Sequence, residues 1–217
     1  GVAEDKVLYW PQYAEDFYQP LKVSLDNYVN SKLNVMFTGN IGEAQGLDIL
    51  PILAEKLQAD GFNDRVVFTL IGDGRSKDKL KETIKENNIE KMFIFEGQKP
   101  STDIPNYLSS ADIAFLSFSD NELFKMTIPA KLQSYMACGK PIFAVASGET
   151  KSIINESKCG LVSEPGDIEG AYLNLLKFMK MNQSQLDEYS ENSIKYAKNY
   201  FDKKKLMDYF DKLISEE

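Results

Sequence analysis

From about Leu33 onward, short unbroken apolar runs alternate with segments of helical period, and this alternation restricts the chain to very few folds. The runs are Asn34–Gly39 (NVMFTG), Arg65–Gly72 (RVVFTLIG), Met92–Gly97 (MFIFEG), Asp112–Ser117 (DIAFLS), Pro141–Ala146 (PIFAVA) and Gly160–Ser163 (GLVS). Most are rich in β-branched and aromatic residues, the pattern of strands covered by helices on both faces. Between them lie apolar stripes. Leu47, Leu50, Leu53, Ala54 and Leu57 share one helical face, and Ile168, Ala171, Tyr172, Leu175, Leu176 and Met179 share another. Strand–helix alternation implies right-handed crossovers and therefore a parallel sheet. The expected fold class is α/β, a doubly wound parallel sheet with one strand for each of the six runs.

The two ends depart from this alternation. The tail from Ser184 to Ile214 reads as two helices that break near Phe201–Asp202, with the run Lys203–Lys205 as a solvated helix start. The head, residues 1–31, holds Trp10 together with Tyr9, Tyr13, Phe17, Tyr18 and Tyr28, and one strand-like run, Lys6–Trp10, before Pro11. So many aromatics are unlike a free linker. The head is expected to pack on the α/β domain or on a neighbouring one.

Composition excludes several functions. With 33 acidic against 25 basic residues the formal charge is −8, which argues against a general nucleic-acid binder. No apolar run approaches the roughly 20 residues of a membrane-spanning helix, and no signal-peptide pattern opens the chain, although it begins at Gly rather than Met and reads as a piece of a longer protein. There is no histidine, and only two cysteines, Cys138 and Cys159. A Cys/His metal centre and a His-based triad or proton shuttle are therefore not expected. The thiols read as reduced, buried and cytosolic. No carboxylate pair stands out for acid/base work.

In a doubly wound sheet, ligands bind beyond the carboxyl ends of the strands, and four loops qualify. The first, Thr38-Gly39-Asn40-Ile41-Gly42-Glu43-Ala44-Gln45-Gly46, has glycines that could admit a phosphate to the backbone or could merely serve a turn. It matches neither G-x-G-x-x-G nor a Walker loop. The second, Gly72-Asp73-Gly74-Arg75, is equally an everyday Asp-Gly turn. The third, Glu96-Gly97-Gln98-Lys99-Pro100, could offer backbone groups and Gln98 to a flat ring, or be plain turn chemistry. In the fourth, Thr127 suits an N-cap, Pro129 suits the first turn and Lys131 follows one turn in. A cation there opposes the helix dipole by about 0.3–1 kcal/mol, a small conflict that an anionic ligand would remove and that a solvated lysine would tolerate. Cys138-Gly139-Lys140-Pro141 reads as the helix stop, with Lys140 favouring the helix C-terminus over any ligand.

Six segments together resemble a known family: FTGNIGEAQGLDIL (37–50), LIGDG (70–74), IFEGQKP (94–100), YLSSADIAFLS (107–117), TIPAKLQSYMACGKPIFA (127–144) and CGLVSEPGD (159–167). In this order and spacing they are similar to the C-terminal, donor-binding half of group 1 glycosyltransferases of the GT-B fold, over about Asn34 to Leu213. The first and fifth segments are especially similar to bacterial transferases that build surface polysaccharides. VLYWPQYAEDFY (7–18) looks like the end of the N-terminal domain and the link into this half. The resemblance implies that residues 1–31 are that remnant and link, and that 32–217 are a Rossmann-like donor-binding domain with a helical tail. It further implies a nucleotide diphosphate sugar, a UDP-sugar, as donor and a glycan or lipid-linked acceptor. The resemblance also implies that catalysis generally needs no bound metal and that no cofactor is expected, and it places the protein in the cytoplasm, peripheral to the inner membrane in the full-length protein.

The donor-site residues so implied are Gly39, Asn40, Gly42 and Gln45, Gly72, Asp73 and Gly74, Gln98 and Lys99, and Thr127, Ile128, Ala130, Lys131 and Ser134. Loop 96–99 would meet the base, with 72–74 nearby, and the helix start and the first glycine loop would flank the diphosphate. No catalytic residue is assigned. The chain departs from the family where many members carry Arg and Lys to clamp the diphosphate, for here stand Asn40 and Gln45. Two glutamates common in the family become Met126 and Ser134. Lys131 and the helix N–H groups are the expected replacement for the clamp. Two other readings remain: a sugar-nucleotide epimerase of the same fold, whose chemistry needs carboxylates and histidines, and a non-catalytic α/β nucleotide-binding or interaction module.

Overall fold

A computed structural model of the protein describes residues 7–22 and 32–215. Six strands run β1 (Leu33–Thr38), β2 (Val66–Ile71), β3 (Phe93–Gly97), β4 (Ile113–Ser117), β5 (Ile142–Val145) and β6 (Gly160–Ser163). Each falls within one residue of the run expected from sequence. They pair in the order β3-β2-β1-β4-β5-β6, all parallel. The chain therefore builds outward from β1 through β2 to β3, returns to place β4 against β1, and builds outward again. Between β1 and β4 the connections diverge and leave a crevice at the carboxyl ends of the strands.

The helices are α1 (Ile49–Ala59), α2 (Lys77–Glu86), α3 (Ile104–Ser109), α4 (Glu122–Lys125), α5 (Ala130–Ala137), α6 (Gly148–Ser157), α7 (Ile168–Lys180), α8 (Gln183–Tyr200) and α9 (Lys203–Ser215). Alternate strand residues face opposite apolar layers. Val35 and Phe37 of β1 join Leu53 and Leu57 of α1 and Leu175 of α7, whereas Met36 joins Leu132 and Tyr135 of α5 and Ile154 of α6. Capping fixes the starts of α7 and α8: Asp167 accepts from the N–H of Gly170 at 2.9 Å, and Asn182 with Gln185 forms a capping box that opens α8. The tail breaks at Phe201–Asp202, as expected. No helix is long and apolar enough to cross a membrane among the described residues.

The head packs on the tail helices. Trp10 stacks on Tyr209 and meets Phe210 edge-on, and the Ala14 N–H donates to the Phe201 carbonyl at 3.4 Å. Two expectations are corrected here. Val7–Trp10 is not a strand: it pairs with no strand among the described residues, and Val7, Leu8 and Tyr9 are exposed. Lys203 does not simply face solvent, because it pairs with Glu15 at 2.8 Å and lies over the Tyr13 ring, tying tail to head. Lys6 and Tyr28 lie outside the described residues. Both thiols are buried, and burial pushes Cys138 up to about 12 and Cys159 up to about 11.

Candidate functional site

At the end of β1, the Tyr135 hydroxyl of α5 accepts from the Thr38 N–H at 2.8 Å and lies 3.2 Å from its Oγ1. Tyr135 is wholly buried, so this bond fixes α5 against the strand that delivers Gly39. Burial pushes the phenol well above its usual range. Tyr135→Phe leaves the Thr38 N–H without a partner and is expected to cost about 1–3 kcal/mol, read as a shift in the denaturation midpoint.

The next layer is a backbone contact between two loops. Gly39 N–H donates to Ile71 O and Ile41 N–H to Asp73 O, both at 2.8 Å, while Ser76 N–H reaches Ile41 O at 3.0 Å. Gly72 has φ +142°, and a Cβ there would drive into the carbonyl oxygen of Gly39. The glycine after β2 therefore admits a neighbouring loop, a stronger demand than the Asp-Gly turn alone. The Asp73 carboxylate accepts from the Gly74 N–H at 2.8 Å and pairs with Lys77 at 3.1 Å, and these bonds hold it below its usual range.

Helix α5 begins at Ala130 with Pro129 as its N-cap, so the expected capping by Thr127 is corrected. Thr127 Oγ1 instead donates back to the Leu123 carbonyl at 2.8 Å, within the turn that closes α4. Ile128 precedes a proline, which disfavours helical backbone there. Pro129 supplies no side-chain acceptor, leaving the leading N–H groups of α5 uncapped.

Lys131, the second residue of α5, is half-buried. Its Nζ hydrogen-bonds the Gln45 side-chain oxygen, lies 4.2 Å from the Phe37 ring centroid and stands over Gly39, where a Cβ would be 3.7 Å away. Among the described residues no carboxylate pairs with it, and burial pulls its ammonium down to about 7. Gln45 is itself held in place, because its carbonyl accepts from the hydroxyl of Ser117 at the end of β4.

Beyond β3, Gln98 is exposed and Lys99 pairs with Glu96 at 3.3 Å, its ammonium 5.2 Å from the Tyr107 ring centroid. A hydrogen bond to Tyr107, then the Glu96 bond, raises Lys99. Lys140 lies elsewhere. It caps not its own helix but the end of α3, donating to Ala111 O at 2.8 Å.

These elements enclose a cleft of about 680 Å³. Of the expected site residues, Gly39, Asn40, Gly72, Asp73, Gly74, Gln98, Lys99, Ala130, Lys131 and Ser134 line it. Gly42, Gln45, Thr127 and Ile128 do not; Gln45 acts through Lys131, Gly42 lies beside the Asn40 side chain, and Ile128 packs on the apolar layer. Sequence reasoning missed Tyr18, Ile71, Ser101 and Ile104, and it named Thr38 within the first loop but not among the donor-site residues. Thr38 and Ile71 are the last residues of their strands and could have been found from that position. Tyr18 carried no such signal.

A cleft at the switch point of a parallel sheet, entered by a helix N-terminus, defines the class of Rossmann-like α/β domains. The chain belongs to the group 1 glycosyl transferases, whose family model matches residues 27–200. Among proteins similar to it, a probable glycosyltransferase, WbjE, of Pseudomonas aeruginosa is 29% identical over 60% of this chain and 32% of its own length. The putative colanic acid biosynthesis glycosyl transferase WcaI of Escherichia coli is 25% identical over 70% of this chain and 38% of its own. The chain thus spans about a third of the curated relatives it matches. Anabaena HepE, solved in complex with UDP, superposes with a TM-score of 0.77 at 17% identity, over 95% of this chain and 56% of its own, a likeness of fold.

Proposed function

We propose that this chain is the donor-binding half of a glycosyl transferase and that its cleft holds a nucleotide diphosphate sugar, specifically a UDP-sugar. The observation that carries this reading is Lys131: a half-buried ammonium with no carboxylate partner among the described residues, at an uncapped helix start and facing a glycine backbone. Such a group is unfavourable in an empty site and is relieved by an anion. The diphosphate lies between Gly39–Asn40 and the start of α5, and the base lies toward Gly72–Gly74 and Gln98–Lys99. When the sugar's bond from C1 to the diphosphate oxygen breaks, negative charge grows on the departing UDP. Lys131 and the α5 N–H groups stabilise that charge, while C1 bonds to an acceptor hydroxyl oxygen whose proton leaves.

The HepE complex with UDP supports the choice of base. The colanic acid relative supports a role in polysaccharide biosynthesis; the acceptor in this reading is a glycan or a lipid-linked sugar. On this reading residues 1–31 end a preceding domain and link it to the donor domain at 32–217, and the acceptor site and any catalytic base belong to that preceding domain. Calorimetric titration with UDP, GDP and ADP is expected to show saturable binding that favours UDP, with no sugar transfer by this chain alone. Failure to bind any of the three overturns the donor site. Turnover by the chain overturns the division of labour.

The state of Lys131 sets a pH dependence. Its charged form is disfavoured in the empty site, near 7, and a bound diphosphate raises that value again. Affinity for a UDP-sugar is therefore expected to be flat below about pH 7 and to fall by up to about tenfold per unit above it, as binding must take up a proton. UDP is the poorer probe, because its terminal phosphate titrates near pH 6. Calorimetry at pH 8 in two buffers of different ionisation enthalpy measures the proton uptake directly.

A further inference from the structure

Glu43–Gln45 forms a single turn of 3-10 helix, and the end of β4 holds it in place. The Ser119 N–H donates to the Ala44 carbonyl at 3.1 Å, and the Ser117 hydroxyl donates to the Gln45 carbonyl. Gly46 closes the turn at φ +55°, where a Cβ would stand 3.0 Å from the Ser119 nitrogen. The backbone of Gln45 is thereby fixed, and its side chain is the part left to act. That side chain is half-buried, and its oxygen accepts from the Lys131 ammonium.

A neutral amide suits a cation that must keep its charge for a ligand. A carboxylate in this place would pair with Lys131 and compete with a diphosphate, whereas an apolar side chain would leave the ammonium without an acceptor. The other charged and titratable groups around the site are exposed or engaged elsewhere. β1 presents the Phe37 ring, α5 carries no second charge, and Tyr135 is bonded to Thr38. Tyr18 lies with Ser134 in the cleft wall, and Glu43, Asp48 and Asp120 are exposed. Asp73 pairs with Lys77, and Lys99 pairs with Glu96. We propose that Gln45 is a positioning residue that holds the Lys131 ammonium over Gly39 in the empty site without neutralising it, and releases it to an entering diphosphate. This role rests on the donor-site reading above.

Two variants displace the lysine's titration in opposite senses. Gln45→Glu adds an opposite charge and favours the protonated lysine, whereas Gln45→Leu removes the acceptor and disfavours it. The midpoint is followed by NMR at Lys131 Cε in lysine-labelled chain, with the signal assigned by its loss in Lys131→Met. It is expected to rise by about one pH unit or more in Gln45→Glu and to fall in Gln45→Leu. UDP is titrated calorimetrically at pH 6.5, where ionisation of its terminal phosphate, near pH 6, affects every variant alike. Gln45→Glu is expected to weaken UDP about 10-fold or more, and Gln45→Leu about 3- to 10-fold. In a Lys131→Met background, Gln45→Leu should weaken UDP no further, because its effect passes through the lysine. A Lys131 midpoint that neither variant moves, or a Gln45→Leu effect that persists in Lys131→Met, overturns the positioning role and leaves the donor site standing. An unsubstituted chain that binds none of UDP, GDP and ADP overturns the donor site and this role with it.

Discussion

A chain carrying alanine in place of Lys131 is expected to bind UDP about 5- to 150-fold more weakly, the equivalent of about 1–3 kcal/mol for a charge-assisted contact. The effect on the empty protein runs the other way. Lys131 is desolvated, opposes the dipole of α5 and, among the described residues, has only the neutral Gln45 side chain as a polar partner. Lys131→Met, which retains apolar bulk over Phe37, should therefore leave the unliganded chain equally stable or more stable by up to about 1 kcal/mol. Loss of binding with no loss of stability is the signature of a residue kept for its ligand. Calorimetry and denaturant unfolding on the same variant read both effects. Unchanged UDP affinity would remove Lys131 from the site.

The second large effect is on the fold beneath the site. Gly72→Ala is expected to destabilise the chain by about 2–4 kcal/mol, combining strain at positive φ with the collision against Gly39 O. For a domain of this size that lowers Tm by about 5–15 °C. Gly61→Ala is the control, since Gly61 also has positive φ (+76°) but has nothing within 4 Å of a built Cβ. If the two variants lose equal stability, the close approach of the loops carries no energy and only backbone strain remains. Gly72→Ala should also weaken UDP binding, because Gly39 cannot hold its place under Lys131 once the loops part.

The strands were readable because burial on both faces leaves an unbroken apolar signature that turns interrupt: β2 is buried at every position, VVFTLI. The cleft-lining glycines were readable as candidates because the carboxyl ends of the strands are where such folds bind. What could not be read was anything decided between distant segments. Thr127 looked like an N-cap because α4, only four residues long, leaves almost no periodic trace, and the turn closing it claims the hydroxyl. Gly72 looked like a turn residue because its need is set by Gly39, on another loop. Tyr18 reaches the cleft across more than a hundred residues of sequence, through contacts to the tail helices that no local pattern encodes.

The central claim is that a nucleoside diphosphate occupies the cleft between the β1 and β2 loops and the start of α5. The most direct measurement is an NMR titration of the isotopically labelled chain with UDP, following backbone amides. Saturable shifts concentrated at Gly39, Gly72, Gly74, Ala130, Lys131 and Ser134 are predicted, with the amides of α2 and of the outer face of α7 unmoved. Shifts that never saturate, or that gather away from these residues, would contradict it.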